Sequence, residues 1–271
     1  MPAVTEHRAE LDRQPVFWRS APSDGASPVL YVHGVPTSAD DWTPFLELGG
    51  GIAPDLPGFG RSGKRADGAY TMEGYDRWLE AFLDHLEVDR LRLLVHDWGG
   101  VGLLLAQRFP ERVERLVVMD AVPFLPGYRW HRLAQIWRTR WAGELVMGAT
   151  GRFALKQLTR ASNATKGPMP AGWLDQVMAG FDLGTQRAIL RLYRSSPPEK
   201  LALAGLGLER LTCPALVVWG DRDPYVPAEF ADAYAAALGP QADVLHLPDA
   251  GHWPWLDRPD LVGTVVDFLT A

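Results

Sequence analysis

Short apolar runs alternate with segments of helical periodicity along most of this 271-residue chain. Six runs have the length and composition of buried strands: 29–32, 51–55, 91–96, 116–119, 215–219 and 242–247. Between them, residues 72–86, 100–109 and 228–238 carry apolar side chains at helical spacing. Strands that alternate with helices pack as a mostly parallel sheet with helices on both faces. The sequence therefore predicts an α/β fold of this kind.

One long stretch interrupts this alternation. Residues 122–211 show no strand pattern, whereas 129–147, 152–160, 172–181 and 185–193 look helical. Pro168, Pro170, Pro197 and Pro198 separate these helical segments. We interpret 122–211 as a helical cap domain inserted between two strands, which leaves 1–121 and 212–271 as the core domain.

Composition excludes several classes of function. The net charge of -6 and the pI near 5.6 argue against nucleic acid as a partner. Cys213 is the only cysteine, so no intramolecular disulfide forms and a cysteine-based metal site is not expected. No run reaches 18 apolar residues and residues 1–14 lack the apolar segment of a signal peptide. We expect a cytoplasmic protein without membrane contact, as a monomer or homodimer.

Asp97 stands between a strand pattern that ends at His96 and a helix pattern that begins with Gly99 and Gly100. Such a sharp turn exposes the side chain at its apex to a substrate. A carboxylate there is ionised at neutral pH and attacks without the help of a base. Displacement at a carbon atom gives an ester with the protein, and water must then cleave that ester with a base. An aspartate that only caps the following helix is the structural alternative.

Three further polar motifs also follow strand patterns, at 33–38, 219–224 and 251–254. Ligands of open α/β sheets bind beyond the carboxyl ends of the strands, so these motifs should converge with Asp97. In the first, Gly34 and Pro36 shape a turn that aims the Val35 N–H at a developing oxyanion, with the Trp98 N–H as second donor. An ordinary loop turn explains the same residues without a function.

His252, in the 251–254 motif, is the natural base near neutral pH. Asp223, preferred over Asp221, is the acid that orients it. A lone histidine in a loop is usually only solvated. However, the order nucleophile, acid, histidine along the chain is typical of one class of catalytic triad, and it favours Asp97, Asp223 and His252 as a unit.

These residues carry a family resemblance. The chain resembles the α/β-hydrolase superfamily over nearly its whole length, including the loop at 55–62 and the helical insertion, which resembles a cap domain. His-Asp-Trp-Gly-Gly at 96–100 resembles the epoxide hydrolases and the haloalkane dehalogenases. The resemblance implies an aspartyl ester intermediate, and neither a cofactor nor a metal is expected.

Leu-Tyr-Arg at 192–194 resembles the cap tyrosine motif of epoxide hydrolases, in which phenols protonate the leaving alkoxide. Tyr193 is therefore the expected general acid. That family usually carries a second cap tyrosine, but Trp137 stands in the region where it is sought. Tyr128 is a possible substitute. In the structural alternative, Tyr193 is a helix residue that packs on the core.

A halide leaves as an anion and needs N–H donors rather than an acid. Trp98 is one candidate donor, and Trp137 or Trp141 of the cap is a second, since Val35 occupies the place where dehalogenases often carry asparagine. Pro-Thr-Ser at 36–38, Val95, and Asp120 at the end of a strand also resemble dehalogenases.

The preferred hypothesis is an epoxide hydrolase that acts on a small apolar epoxide and water, with Trp137, Tyr128 and Trp141 as substrate-binding residues. Haloalkane dehalogenase is the alternative. A third hypothesis is a catalytically silent binding protein, because a fold alone does not determine a function.

Overall fold

A computed structural model describes residues 3–23, 27–164, 167 and 169–271. These residues contain one sheet of eight strands. The strands are β1 (Thr5–Leu11), β2 (Gln14–Ala21), β3 (Val29–Val32), β4 (Gly51–Pro54), β5 (Leu91–His96), β6 (Val113–Met119), β7 (Ala215–Gly220) and β8 (Ala242–Leu247). The six predicted strands correspond to β3 to β8. The predicted fold class is confirmed.

The strand order is β1-β2-β4-β3-β5-β6-β7-β8. Strands β3 to β8 pair in parallel, whereas β1 and β2 form an antiparallel hairpin whose second strand pairs antiparallel with β4. The sequence analysis missed this hairpin. The residues of β1 alternate between exposed and half-buried, so an edge strand of this kind contains no continuous apolar run.

Twelve α-helices are described. The core carries α1 (Thr43–Gly49), α2 (Met72–His85), α3 (Gly102–Arg108), α10 (Glu229–Leu238), α11 (Pro254–Asp257) and α12 (Leu261–Thr270). Between β6 and β7 lie α4 (Arg132–Arg138), α5 (Ala142–Gly148), α6 (Arg152–Thr159), α7 (Trp173–Gly180), α8 (Leu183–Ser195) and α9 (Pro198–Ala204). None of the described helices is long and apolar enough to cross a membrane.

The central strands are buried on both faces, which explains their continuous apolar sequences. In β5, Leu93 and Val95 join the hydrophobic cluster on one face of the sheet, and Leu94 joins the cluster on the other face. Successive side chains of a strand point to opposite faces, so both clusters draw on the same run. This packing fixes the carboxyl ends of β3, β5, β6 and β7 side by side, because these strands are neighbours in the sheet.

The helical insert, residues 122–211, contains no strand in its described part. The single helix predicted over 129–147 is wrong: α4 ends at Arg138 and α5 begins at Ala142. Between them Trp141 has a φ of 67°, which a helix does not tolerate. The Glu144 carboxylate accepts the Trp141 N–H at 2.7 Å and so caps α5 at its new start. We retain 122–211 as the proposed cap domain.

Candidate active site

Asp97 lies at the turn between β5 and a 3₁₀ helix, Asp97–Val101, that leads into α3. Its φ of 49° is a left-handed conformation that is strained for a residue with a side chain. The carboxylate is buried, and its Oδ1 accepts the Val35 N–H at 2.7 Å. The close approach requires glycine at 34, because a Cβ there would lie 2.3 Å from Asp97 Oδ1. The Asp97 side chain is thus held by the 33–38 loop.

His252 and Asp223 meet beside this carboxylate. His252 Nδ1 lies 2.7 Å from Asp223 Oδ2, and His252 Nε2 lies 3.6 Å from Asp97 Oδ2. The other Asp223 oxygen accepts the N–H groups of Tyr225, at 2.7 Å, and Val226, at 3.1 Å. The structure therefore brings together the three residues that the sequence grouped. Asp221 instead pairs with His246 on the partly exposed surface, at 2.7 Å.

The charges of this group stabilise one another. Burial lowers the pKa of His252, but the charge and hydrogen bond of Asp223, followed by those of Asp97, raise it well above 6.5. Burial raises the pKa of Asp97, but the hydrogen bond and charge of His252 outweigh burial and lower it below 3.8. Both shifts favour an imidazolium at His252 beside an ionised Asp97.

Asp120, at the end of β6, is fully buried near Asp223. Its Oδ1 accepts the Gly220 N–H at 2.9 Å, and its Oδ2 has no hydrogen-bond partner among the described residues. Burial, followed by the charge of Asp223, raises the pKa of Asp120 well above 3.8. The raised pKa favours the protonated form of Asp120, and it is Asp223 that contacts His252 Nδ1, at 2.7 Å.

A partly open cavity of about 600 Å³, a volume that includes its mouth, lies over Asp97 and His252. Its lining, apolar side chains with a few polar groups, is that of a small-molecule site. Most of its lining residues come from the helical insert, among them the apolar Leu133, Leu155, Leu158, Phe181 and Ile189. Val35 and Pro36 contribute from the core, and His131, Trp137 and Tyr193 add polar groups from the insert.

Tyr193, on α8, is packed edge-on between two indoles. Its ring centroid lies 5.2 Å from that of Trp98 and 5.1 Å from that of Trp137. The Nε1 atoms of both tryptophans are buried and have no hydrogen-bond partner among the described residues. Burial, followed by the charge of Asp97, raises the pKa of the Tyr193 phenol well above 10. The phenol is protonated at neutral pH and borders the cavity that contains Asp97.

Two of the expected cavity residues lie elsewhere. The exposed fraction of Trp141 is 82%, because it sits in the turn that starts α5 on the outer surface. Tyr128 is buried, but it packs on Trp130 and Phe230 and its hydroxyl donates to the Tyr225 carbonyl at 3.4 Å. Neither residue lines this cavity, so the cavity gives no support to the substrate-binding predictions for Trp141 and Tyr128.

The sequence analysis missed His131 and Tyr225, which both line the cavity. His131 is the N-cap of α4, and its Nδ1 accepts the Ala134 N–H at 3.3 Å. Burial lowers the pKa of His131 to about 4, so the ring is neutral at pH 7. An accepting Nδ1 in a neutral ring leaves the proton on Nε2. Histidine is not a usual N-cap, so no sequence signal marked this position.

Comparison with known proteins agrees with this fold. The Alpha/beta hydrolase family matches residues 29–264. A haloalkane dehalogenase of Mesorhizobium japonicum (strain LMG 29417 / CECT 9101 / MAFF 303099) is 30% identical over 259 residues, which cover 88% of this chain and 82% of the relative. The crystal structure of a haloalkane dehalogenase from Bradyrhizobium elkani USDA94 has a TM-score of 0.84 at 24% identity and covers 98% of both chains.

An epoxide hydrolase, CorEH, has a TM-score of 0.82 at 20% identity, and the match covers 98% of both chains. At these identities the two solved structures support the fold alone. The family match covers most of the chain, including the strands that carry Asp97, Asp223 and the Val35 loop. The chain belongs to the Alpha/beta hydrolase family.

Proposed function

We propose that this hydrolase converts small apolar epoxides to vicinal diols through an ester on Asp97. The observation that carries the proposal is the protonated Tyr193 phenol on the wall of the cavity that contains the Asp97 carboxylate. An alkoxide leaving group needs a proton, and general acid help contributes about 10²–10⁴-fold to such a step.

In the first step, Asp97 Oδ2 attacks an epoxide carbon. The carbon–oxygen bond of the ring breaks, and the leaving oxygen takes the Tyr193 proton. Asp97 Oδ1, which already accepts a hydrogen bond from the Val35 N–H, becomes the ester carbonyl oxygen. The Trp98 N–H is the proposed second donor to the oxyanion that forms later.

In the second step, His252 acts as base. Ester formation removes the negative charge of Asp97, so the pKa of His252 falls and the ring loses its proton. His252, held by Asp223, then takes a proton from water as the oxygen of that water attacks the Asp97 carbonyl carbon. The tetrahedral intermediate collapses and the diol leaves with the proton from His252. Solvent then returns one proton to Tyr193 and one to His252, which replaces the proton that the ring released to solvent after ester formation.

His131 is the proposed second donor to the leaving oxygen. Other hydroxyls that border the cavity are already engaged: Thr150 donates to Val146, Thr159 to Leu155, and Tyr225 pairs with Ser162. The Nε2–H of His131 has no such partner among the described residues. This assignment replaces the second cap tyrosine that the resemblance implied.

Haloalkane dehalogenase is the second candidate function. It is supported by the names of relatives such as the Mesorhizobium protein, and by the unpartnered indole N–H groups of Trp98 and Trp137. Two indole N–H groups are suitable donors to a halide. However, the Tyr193 ring occupies the space between these two indoles, and Trp98 does not line the cavity.

Two substitutions separate the candidates. Tyr193→Phe removes the acidic proton with little change in volume, and Trp137→Phe removes the indole N–H from the same aromatic cluster. Single-turnover rates are measured on an aryl epoxide and on a bromoalkane. On the epoxide proposal, Tyr193→Phe slows ester formation from the epoxide by about 10²–10⁴-fold, or less if His131 compensates, and Trp137→Phe has a small effect.

Bromide release by the parent, with no diol formed from any epoxide tested, would overturn the epoxide proposal. In that case, Tyr193→Phe should have little effect on the single-turnover rate, and Trp137→Phe should weaken halide binding. His252→Gln tests catalysis itself, because ester formation proceeds and hydrolysis stalls. The intact mass should then rise by one substrate, and the absence of any adduct with substrates that the parent turns over would refute the two-step mechanism.

A further inference from the structure

The loop that carries His252 is hydrogen-bonded to the segment of the helical insert that follows α6. The His252 N–H donates to the Ser162 carbonyl at 2.7 Å. Glycine is required at position 251, because a Cβ there would lie 2.1 Å from the Ser162 carbonyl oxygen. The Ser162 hydroxyl lies 2.8 Å from that of Tyr225, whose ring packs edge-on to His252 with centroids 5.0 Å apart.

Asp257, the last residue of α11, bridges the same two segments. Its Oδ2 accepts the Gly251 N–H at 2.8 Å and the Ala164 N–H at 2.9 Å. No cation lies within salt-bridge distance of it among the described residues, whereas the neighbouring Asp249 and Asp260 pair with Arg258. The two backbone N–H groups are therefore the interactions that engage this carboxylate.

We propose that Asp257 is a positioning residue that ties the histidine loop to the segment Ser162–Ala164 and so places His252 for ester hydrolysis. Asp97 is positioned from β5 and the Val35 loop, and its attack needs no base, so the first step does not depend on this bridge. Hydrolysis does, because His252 must reach the attacking water. A misplacement of about 1 Å costs about 10²-fold in such a step.

The inference rests on the two-step mechanism, which an epoxide and a haloalkane share. Asp257→Ala removes the acceptor, and Asp257→Asn retains one acceptor oxygen. Asp249→Ala removes a nearby exposed carboxylate that pairs with Arg258. Ester formation and ester hydrolysis are timed separately by quenched-flow mass spectrometry, with a bromoalkane or an aryl epoxide, whichever the parent turns over.

We expect Asp257→Ala to leave the rate of ester formation within about twofold and to slow hydrolysis by about 10- to 100-fold, so that the ester accumulates. Asp257→Asn should recover most of the hydrolysis rate, and Asp249→Ala should match the parent. Equal slowing of both steps in Asp257→Ala, or no slowing of hydrolysis, would overturn the proposal.

A second readout does not need turnover. The proton shared by His252 Nδ1 and Asp223 should give a downfield proton NMR resonance in the parent, since the two atoms are 2.7 Å apart. It should shift or broaden in Asp257→Ala and stay in place in Asp249→Ala. An unchanged resonance in Asp257→Ala refutes the positioning role even if no substrate is found, which separates this failure from failure of the proposed function.

Discussion

Replacing the Asp97 carboxylate by a neutral amide should lower the pKa of His252, and the structure sets the size of the effect. His252 Nε2 lies 3.6 Å from Asp97 Oδ2, and both side chains are at most 8% exposed. At that separation a unit charge pair contributes about 4–5 kcal/mol, for the effective dielectric constant of about 20 that suits buried protein sites. Asp97→Asn should therefore lower the pKa of His252 by about three.

The same charge disappears when Asp97 becomes an ester, so this substitution mimics the change that turns His252 into a base. The pKa is measured by NMR titration of labelled imidazole, with His252 assigned from the spectrum of His252→Gln. Asp97→Ala should give a similar fall because it removes the same charge. Asp221→Asn is the control, since Asp221 pairs with His246 and not with His252. A fall in the pKa of His252 by less than about one pH unit in Asp97→Asn would refute this role of the Asp97 charge.

Two further predictions concern buried carboxyl groups. Asp223→Asn should reduce turnover by orders of magnitude (about 10⁴-fold in the serine-protease case that serves as guide). Asp120→Asn should be milder, because the raised pKa of Asp120 favours its uncharged form and Asp223 is the residue that contacts His252. Steady-state kinetics check this, and a larger loss in Asp120→Asn would move the acid role there. Burial raises the pKa of Asp41 to about 7 from its ordinary 3.8, so the stability of the parent should fall as pH rises from about 4 to about 7. Asp41→Asn lacks this loss, and its free energy of unfolding relative to the parent should rise by about 2.5 kcal/mol between pH 5 and pH 8 in denaturant titrations. If the free energy of unfolding depended on pH equally in Asp41→Asn and in the parent, the raised pKa of Asp41 would be contradicted.

Regular elements with a strong apolar pattern were predictable from the sequence. Strand β5 and helix α2 lie within a residue of the predicted ranges, because each buries a face that needs a distinct periodicity. The hairpin β1–β2 and the break at Trp141 were not predictable. An edge strand exposes alternate residues and so lacks an apolar run. The Trp141 turn depends on the Glu144 carboxylate, whose Oε1 also accepts a hydrogen bond from Arg194 Nη1 of α8 at 2.6 Å.

The grouping of Asp97, Asp223 and His252 was a property of the sequence, because each follows a strand and neighbouring parallel strands end at one edge of the sheet. Their order along the chain therefore predicted a meeting that requires no knowledge of loop conformation. The choice of Asp223 over Asp221 was also made from the sequence, and the contact at 2.7 Å agrees with it.

The cavity wall was decided only by the tertiary structure. Helical periodicity in the insert shows which side chains are apolar, but not which face a helix turns toward the sheet. For that reason the sequence could not show that His131 lines the cavity and that Trp141 and Tyr128 do not. The bridge through Asp257 could not be predicted from the sequence either, since its partners are the backbone N–H groups of residues 164 and 251. Backbone donors are the same at every non-proline residue, so only the fold determines which of them meet one carboxylate.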